Sequence, residues 1–326
     1  MSTFFCSDNS RKLGEEIIGT ASNCETYILI ECSPPWHNQA LNSRLIPDNL
    51  RQLIADIKST RISVTFLLIA NDISHKKYET TLLIYQKKSG ISNGFRQQEF
   101  RLDNIEQVAT TVRKLLWSKL SDVEPEIPRK RDILICTHGS HDQCCARYGN
   151  RLYFYLQDKL IPNLGLENIR LWRSSHFGGH RFAPTMIDLP EGRYYGNISA
   201  ELCPSILTRK GDIKVLRQMY RGWGILSTPI QVLESELMVQ HGWKWFDNKV
   251  ATKIIEKNTD NSKLQVEFVV EEPYGYVYNY HASIVRSEYK SIKLKSSCNA
   301  KEELICHKYI VENLYLKSQL VINHTA

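Results

Sequence analysis

The chain lacks an apolar run long enough to cross a bilayer. Runs such as FLLIA at Phe66 to Ala70 stop after a few residues, whereas a spanning helix needs about 20. A signal-peptide centre is also missing, since MSTFFCSDNSRKLGEEI offers only Phe4, Phe5 and Cys6 before polar residues follow. A soluble, cytoplasmic protein with no membrane partner is therefore expected. No long basic run occurs, and the net charge of +7 is dispersed among interleaved acids. That pattern argues against a nucleic-acid partner. No Cys-x-x-Cys dithiol occurs either, so disulfide exchange of the thioredoxin kind lacks its usual pair.

What remains is ordinary globular composition. Of 326 residues, 42% are hydrophobic and 24% charged, enough for two or three structural units. Nine cysteines in an unsecreted chain read as thiols, core residues or ligands rather than a disulfide frame. Cys6, Cys24, Cys32, Cys203, Cys298 and Cys306 are scattered and read as small buried hydrophobes or bystanders. Cys136, Cys144 and Cys145 cluster.

Periodicity assigns the frame. TYILIECSPPW reads as a strand entering a loop, and DNLRQLIADIKS as a helix with Leu50, Leu53, Ile54 and Ile57 on one face. RISVTFLLIA and YETTLLIYQK read as strands. DNIEQVATTVRKLLWSKL reads as a second helix, with Asn104 and Gln107 spaced as a capping box. After a connector at 123–131 the β-α-β-β-α order repeats. RDILICTHG, LENIRLWRSSH and GRYYGNIS are its strands, GNRLYFYLQDKLI and SAELCPSILTRK its helices, and ILIC matches ILIEC in place. The C-terminal region, from a helix in STPIQVLESELMVQHGWKWF onward, reads as a small antiparallel sheet of LQVEFVVEE, GYVYNYHASIV and YKSIKLK. Tyr274, Tyr276, Tyr278 and Tyr280 stand at period two, a stripe expected to pack against a core or another domain. The expected class is α+β. Its domains are 1–124, an N-terminal half without ligands, 125–222, which carries the Cys/His set, and 223–326, an accessory α+β region.

CTHGSHDQCCARYG and SSHFGGHRFAP carry the chemistry. Cys145 and Arg151 have the spacing of a phosphatase loop, but the polar SHDQ before Cys145 is no strand. A metal site fits better. Cys136 closes a strand, Gly139 loosens the loop, and Cys144 or Cys145 can fold back toward it. His176 and His180 flank Gly178 and Gly179, which let backbone wrap a bulky object. Two thiolates and two imidazoles suit zinc or an iron–sulfur cluster, and spacing alone does not choose. His37, His75, His138, His141 and His241 read as bystanders.

The two-part motif resembles the sucrase/ferredoxin-like family most strongly from about Asp132 to Asn197, and more weakly through GEEIIGTA and ILIECSPPW. The resemblance implies thioredoxin-like units and a [2Fe–2S] cluster held by Cys136, Cys145, His176 and His180, with Cys144 not a ligand. His141 stands where the family often has Arg. The implied function is electron transfer or redox response, an electron carrier rather than a catalyst, with a redox protein as donor or acceptor. Arg173 and Arg181 would then favour the reduced state or an acidic partner. The alternative is a zinc-stabilised structural or interaction module on the same residues. No carboxylate pair is placed to serve as glycosidase acid and base.

Overall fold

The structure is a computed structural model, and it describes residues 4–60, 62–71, 79–117 and 130–321. The connector expected at 123–131 lies, up to residue 129, outside the described residues, as do the 124/125 boundary and His75.

A nine-stranded mixed sheet forms the body of the protein. In chain order its strands are β1 (Thr26–Glu31), β2 (Val64–Ala70), β3 (Thr80–Lys87), β4 (Phe95–Leu102), β5 (Arg131–Cys136), β6 (Ile169–Ser174), β7 (Met186–Leu189), β8 (Arg193–Tyr195) and β9 (Tyr220–Trp223). Across the sheet they run β4-β3-β1-β2-β6-β5-β7-β8-β9. The repeat read from ILIEC and ILIC is present in this order. β1 pairs parallel with β2 and antiparallel with β3, which pairs antiparallel with β4. β5, β6, β7 and β8 reproduce that arrangement. The two units share one sheet, meeting edge to edge where β2 runs antiparallel to β6.

The helices are α1 (Cys6–Lys12), α2 (Asp48–Ser59), α3 (Gln107–Trp117), α4 (Asn150–Tyr155), α5 (Ile161–Leu164), α6 (Cys203–Thr208), α7 (Ile213–Leu216) and α8 (Thr228–His241). α2 spans the predicted residues, and Leu50, Leu53, Ile54 and Ile57 are all buried. Because successive strand residues face opposite ways, β1 serves two cores. Ile28 and Ile30 pack with α2 and α3, while Tyr27 and Leu29 join the larger core. A separate antiparallel sheet, β10 (Lys249–Lys257), β11 (Lys263–Glu271), β12 (Tyr276–Leu294) and β13 (Leu304–Val321), follows α8. Leu264, Val266, Phe268 and Val270 alternate inward along β11 and close that larger core beside Trp245. The class is α+β. Among the described residues no helix is long and apolar enough to cross a membrane.

Several local expectations are corrected. The Asn104 capping box does not form. Instead Asn104 Oδ1 accepts from the Glu106 N–H, Gln107 Oε1 accepts from the Asp103 N–H, and the helix begins at Gln107. YKSIKLK is not its own strand but the far end of β12, which stays paired with β13 through register shifts. The tyrosine stripe grades from Tyr274, 86% exposed, to buried Tyr280, so only its inner end packs.

Candidate metal centre

Cys136 ends β5, and the chain turns through Asp142 into a helix that begins at Gln143, is π-wound over Cys145–Gly149 and leads into α4. That turn brings Cys145 back to the strand end. Gly149 makes the approach possible, because a Cβ there would collide with the Cys136 carbonyl oxygen. Gly149→Ala should therefore cost about 1–3 kcal/mol, as overpacking does, and spread the two sulfurs. A wild-type thermal midpoint in this variant would refute that reading.

The loop after β6 supplies the histidines. His176 Nδ1 lies 3.6 Å from Cys136 Sγ and 3.7 Å from Cys145 Sγ. On the ring's other side, His176 Nε2 lies 3.3 Å from His180 Nδ1. Gly178 and Gly179, at φ +94° and +80°, wind the intervening chain through a region open to glycine. Cys136 and Cys145 are buried, and the two histidines are half-buried. The four sequence-predicted residues thus converge, the sulfurs at the inner end and His180 at the outer. Cys136, Cys145 and His176 have donor atoms close enough for one ion, as do His141, His176 and His180.

The electrostatics favour a thiolate. Burial opposes ionisation of Cys136, yet hydrogen bonds from Cys145 and His176 hold its thiol well below the ordinary value. Cys145, donating to Cys136 and buried, is pushed well above it. The pair therefore shares one proton, which a metal would displace. Burial lowers the pKa of His180, and so favours its neutral, ligating form. Its Nε2–H donates to the Ser296 carbonyl at 2.8 Å, which leaves the Nδ1 lone pair free toward His176.

Sequence reasoning missed the parts that orient this set. His138 is no bystander: buried, it accepts the His176 N–H at Nδ1 (3.2 Å) and donates from Nε2 to the His37 carbonyl (2.8 Å). His141 stacks on His176 with ring centroids 4.0 Å apart. Ser140 Oγ donates to the Trp36 carbonyl. The loop that follows β1 in the first unit thus braces the Cys/His loop of the second. Arg221, buried on β9, donates to the Gly178 carbonyl at 3.0 Å and to Thr20. Burial lowers its pKa to about 10, so it remains a cation beside the site. Arg181 is not available to a partner, because it pairs with buried Glu15, which Lys308 also bonds. Arg173 lies over the Tyr153 and Phe154 rings.

Over an alignment of 146 residues, which covers 43% of this chain and 48% of the relative, the chain is 25% identical to "Altered inheritance of mitochondria protein 32" of Meyerozyma guilliermondii. The chain thus spans about half the length of that curated relative. No solved structure matches. The family model described as sucrase/ferredoxin-like matches residues 17–222, from the segment before β1 to β9 and through every residue of the Cys/His set, and the chain belongs to the sucrase/ferredoxin-like family.

Proposed function

We propose that Cys136, Cys145, His176 and His180 hold a [2Fe–2S] cluster in a thioredoxin-like unit, and that the protein carries electrons or responds to redox state. The observation behind this reading is that the donors come as two pairs. A single tetrahedral ion needs all four donors about 3.3–3.8 Å apart, from metal–nitrogen bonds of about 2.0 Å and metal–sulfur bonds of about 2.3 Å. His176 Nε2 and His180 Nδ1, at 3.3 Å, suit one ion. The four residues together do not gather within reach of one another. Two sulfurs at one end and two nitrogens at the other match a two-metal core with one pair on each iron.

When bound, such a cluster supplies a one-electron couple. Neutral imidazoles in place of two thiolates move it from roughly −400 mV toward about −150 to +300 mV. The chain's own residues set the rest. Buried Cys136 and Cys145 keep water from the sulfur end, while half-buried His176, under exposed His141, forms the edge open to a redox partner. The Ser296 carbonyl holds the proton on His180 Nε2. Arg221 places a fixed positive charge near the sulfur end and so favours the reduced state.

One observation favours a second reading, a zinc-stabilised module. Cys136, Cys145 and His176 Nδ1 could share one ion, while the Gly178 N–H points at His176 Nε2 from 3.1 Å. Iron and acid-labile sulfide on anaerobically purified protein decide between them. The cluster gives about two irons and two sulfides per chain and a rhombic spin signal on reduction. Absence of both, with zinc that disappears in Cys136→Ser, would establish the second reading.

A further inference from the structure

We propose that Cys6, Asp142, Cys144 and Cys298 form a second metal site, which binds zinc and ties the two ends of the chain to the Cys/His loop. Their donor atoms lie within 4.8 Å of one another. The three sulfurs make a nearly equilateral triangle, with Cys6–Cys144 at 3.6 Å, Cys144–Cys298 at 3.4 Å and Cys6–Cys298 at 3.6 Å. Asp142 Oδ1 lies 3.1 Å from Cys298 Sγ and 3.8 Å from Cys6 Sγ. Zinc bonds of about 2.3 Å to sulfur and 2.0 Å to oxygen place tetrahedral donors about 3.8 Å apart for two sulfurs and 3.5 Å apart for sulfur and oxygen. The match covers all three sulfurs at once. A disulfide would join only two of them, at about 2.05 Å.

The surroundings are those of a closed ion site. Cys6, Cys144 and Asp142 are buried and Cys298 is half-buried, as in structural rather than catalytic zinc sites. Asp142 accepts from the Cys144 and Cys298 N–H groups at 2.9 and 3.0 Å. Among the described residues no lysine or arginine pairs with it, and His180 Nε2 is 4.0 Å away. A buried carboxylate among three thiols without a full counter-charge is costly, and a divalent cation removes the cost. Donors from outside the set already face two of the sulfurs. Ser7 Oγ donates to Cys144 Sγ at 3.2 Å, and the Cys6 N–H points at Cys298 Sγ at 3.5 Å. Such hydrogen bonds hold thiolates in a metal's outer shell. A thiolate-rich set selects zinc over magnesium or calcium.

The ligands come from α1, the loop after β5 and the turn between β12 and β13. The ion would thus fasten the C-terminal hairpin across the N-terminal helix. Two residues before Cys298, Ser296 accepts the His180 proton. The second site thereby positions a ligand of the first. That consequence rests on the cluster reading; zinc binding itself does not.

The test is zinc and iron per chain in full-length wild type, Cys6→Ser, Cys298→Ser and Cys136→Ser. The expected pattern is about one zinc per chain in wild type, lost in Cys6→Ser and Cys298→Ser and kept in Cys136→Ser. If the cluster reading holds, iron follows Cys136 instead. Zinc lost in Cys136→Ser but kept in Cys298→Ser would overturn the second site, as would a disulfide joining two of the three thiols in reduced-purified wild type. If iron is absent throughout, only the cluster reading fails, and the zinc arms still decide. Should Cys6→Ser and Cys298→Ser not fold, cobalt added to chelator-stripped wild type and Cys136→Ser reads the site directly. Tetrahedral d–d bands with thiolate charge transfer that persist after cobalt loading of Cys136→Ser support the proposal; their absence there overturns it.

Discussion

Asp132→Ala should lower the stability of the chain by about 3–5 kcal/mol, the cost of breaking a buried ion pair from one side. Asp132 sits on β5 with no exposed surface. Its carboxylate accepts from Arg170 Nε at 2.6 Å, Arg170 Nη2 at 3.0 Å, Trp172 Nε1 at 2.6 Å, Gln97 Nε2 at 3.0 Å and the Tyr85 hydroxyl. Arg170 reaches on to Glu99 at 2.8 Å. Tyr85, Gln97 and Glu99 belong to β3 and β4 of the first unit, whereas Asp132, Arg170 and Trp172 belong to the second. This matters because, among the described residues, β2 and β6 share only two pairings, Ile69 with Ser174 and Ala70 with Arg173. Beside them, the Ser175 N–H donates to the Leu68 carbonyl, the Leu68 N–H to Ser175 Oγ, and the Asn71 side-chain amide to the Leu171 carbonyl. Alanine would leave a guanidinium, an indole N–H and a phenol buried without their acceptor. Against a typical total of about 5–15 kcal/mol, the two units should lose their joint cooperativity. Urea unfolding checks this: a midpoint within error of wild type at unchanged slope would show that the seam does not depend on Asp132. Asp132→Asn should fall between, since it keeps the volume but turns one acceptor into a donor facing other donors.

The elements legible in the sequence are those whose burial follows local period. α2 and β1 to β3 fall where their apolar spacing places them, because one face or both meet a core along their whole length. β4 was invisible. FRQQEFRL is half-polar because this sheet-edge strand points Gln97 and Glu99 into the Asp132 network. β7 has four residues, too few to show a period. The site divides in the same way. Cys136, the Cys144/Cys145 pair, His176 and His180 stand out by spacing within two short strings, and the choice of Cys145 is what the family resemblance implies. Cys6 and Cys298 do not, because 292 residues separate sulfurs that end 3.6 Å apart. Cys144 and Cys145 looked like alternatives for one position. Adjacent residues on a helix do not share a face, so Cys145 turns to His176 while Cys144 turns to Cys6 and Cys298.

Gly179→Ala should empty the metal site proposed at Cys136, Cys145, His176 and His180 while leaving the sheet folded. At φ +80° an alanine is strained by roughly 1–2 kcal/mol before any contact is counted. Its Cβ would also run into the Arg221 guanidinium. A surface arginine would swing aside, but this one is buried under Phe182 and Tyr194 and bonded to Gly178 and Thr20. The loop must move instead, and with it His180, whose ring depends on Ser296 and His176 for its direction. Gly178→Ala separates strain from collision, since its φ is also positive but its Cβ would meet only Ser22 Oγ at 3.3 Å. It should keep a larger share of metal than Gly179→Ala. A double variant, Gly179→Ala with Arg221→Ala, removes the collision and keeps the strain, so its metal content should recover to near that of Gly178→Ala. Coupling of this sign between two contacting residues is what a double-mutant cycle measures. Full metal occupancy in Gly179→Ala alone would mean that the histidine loop tolerates another path. No recovery in the double variant would assign the loss to backbone strain, and Arg221 would then act on the site through its charge rather than through its shape.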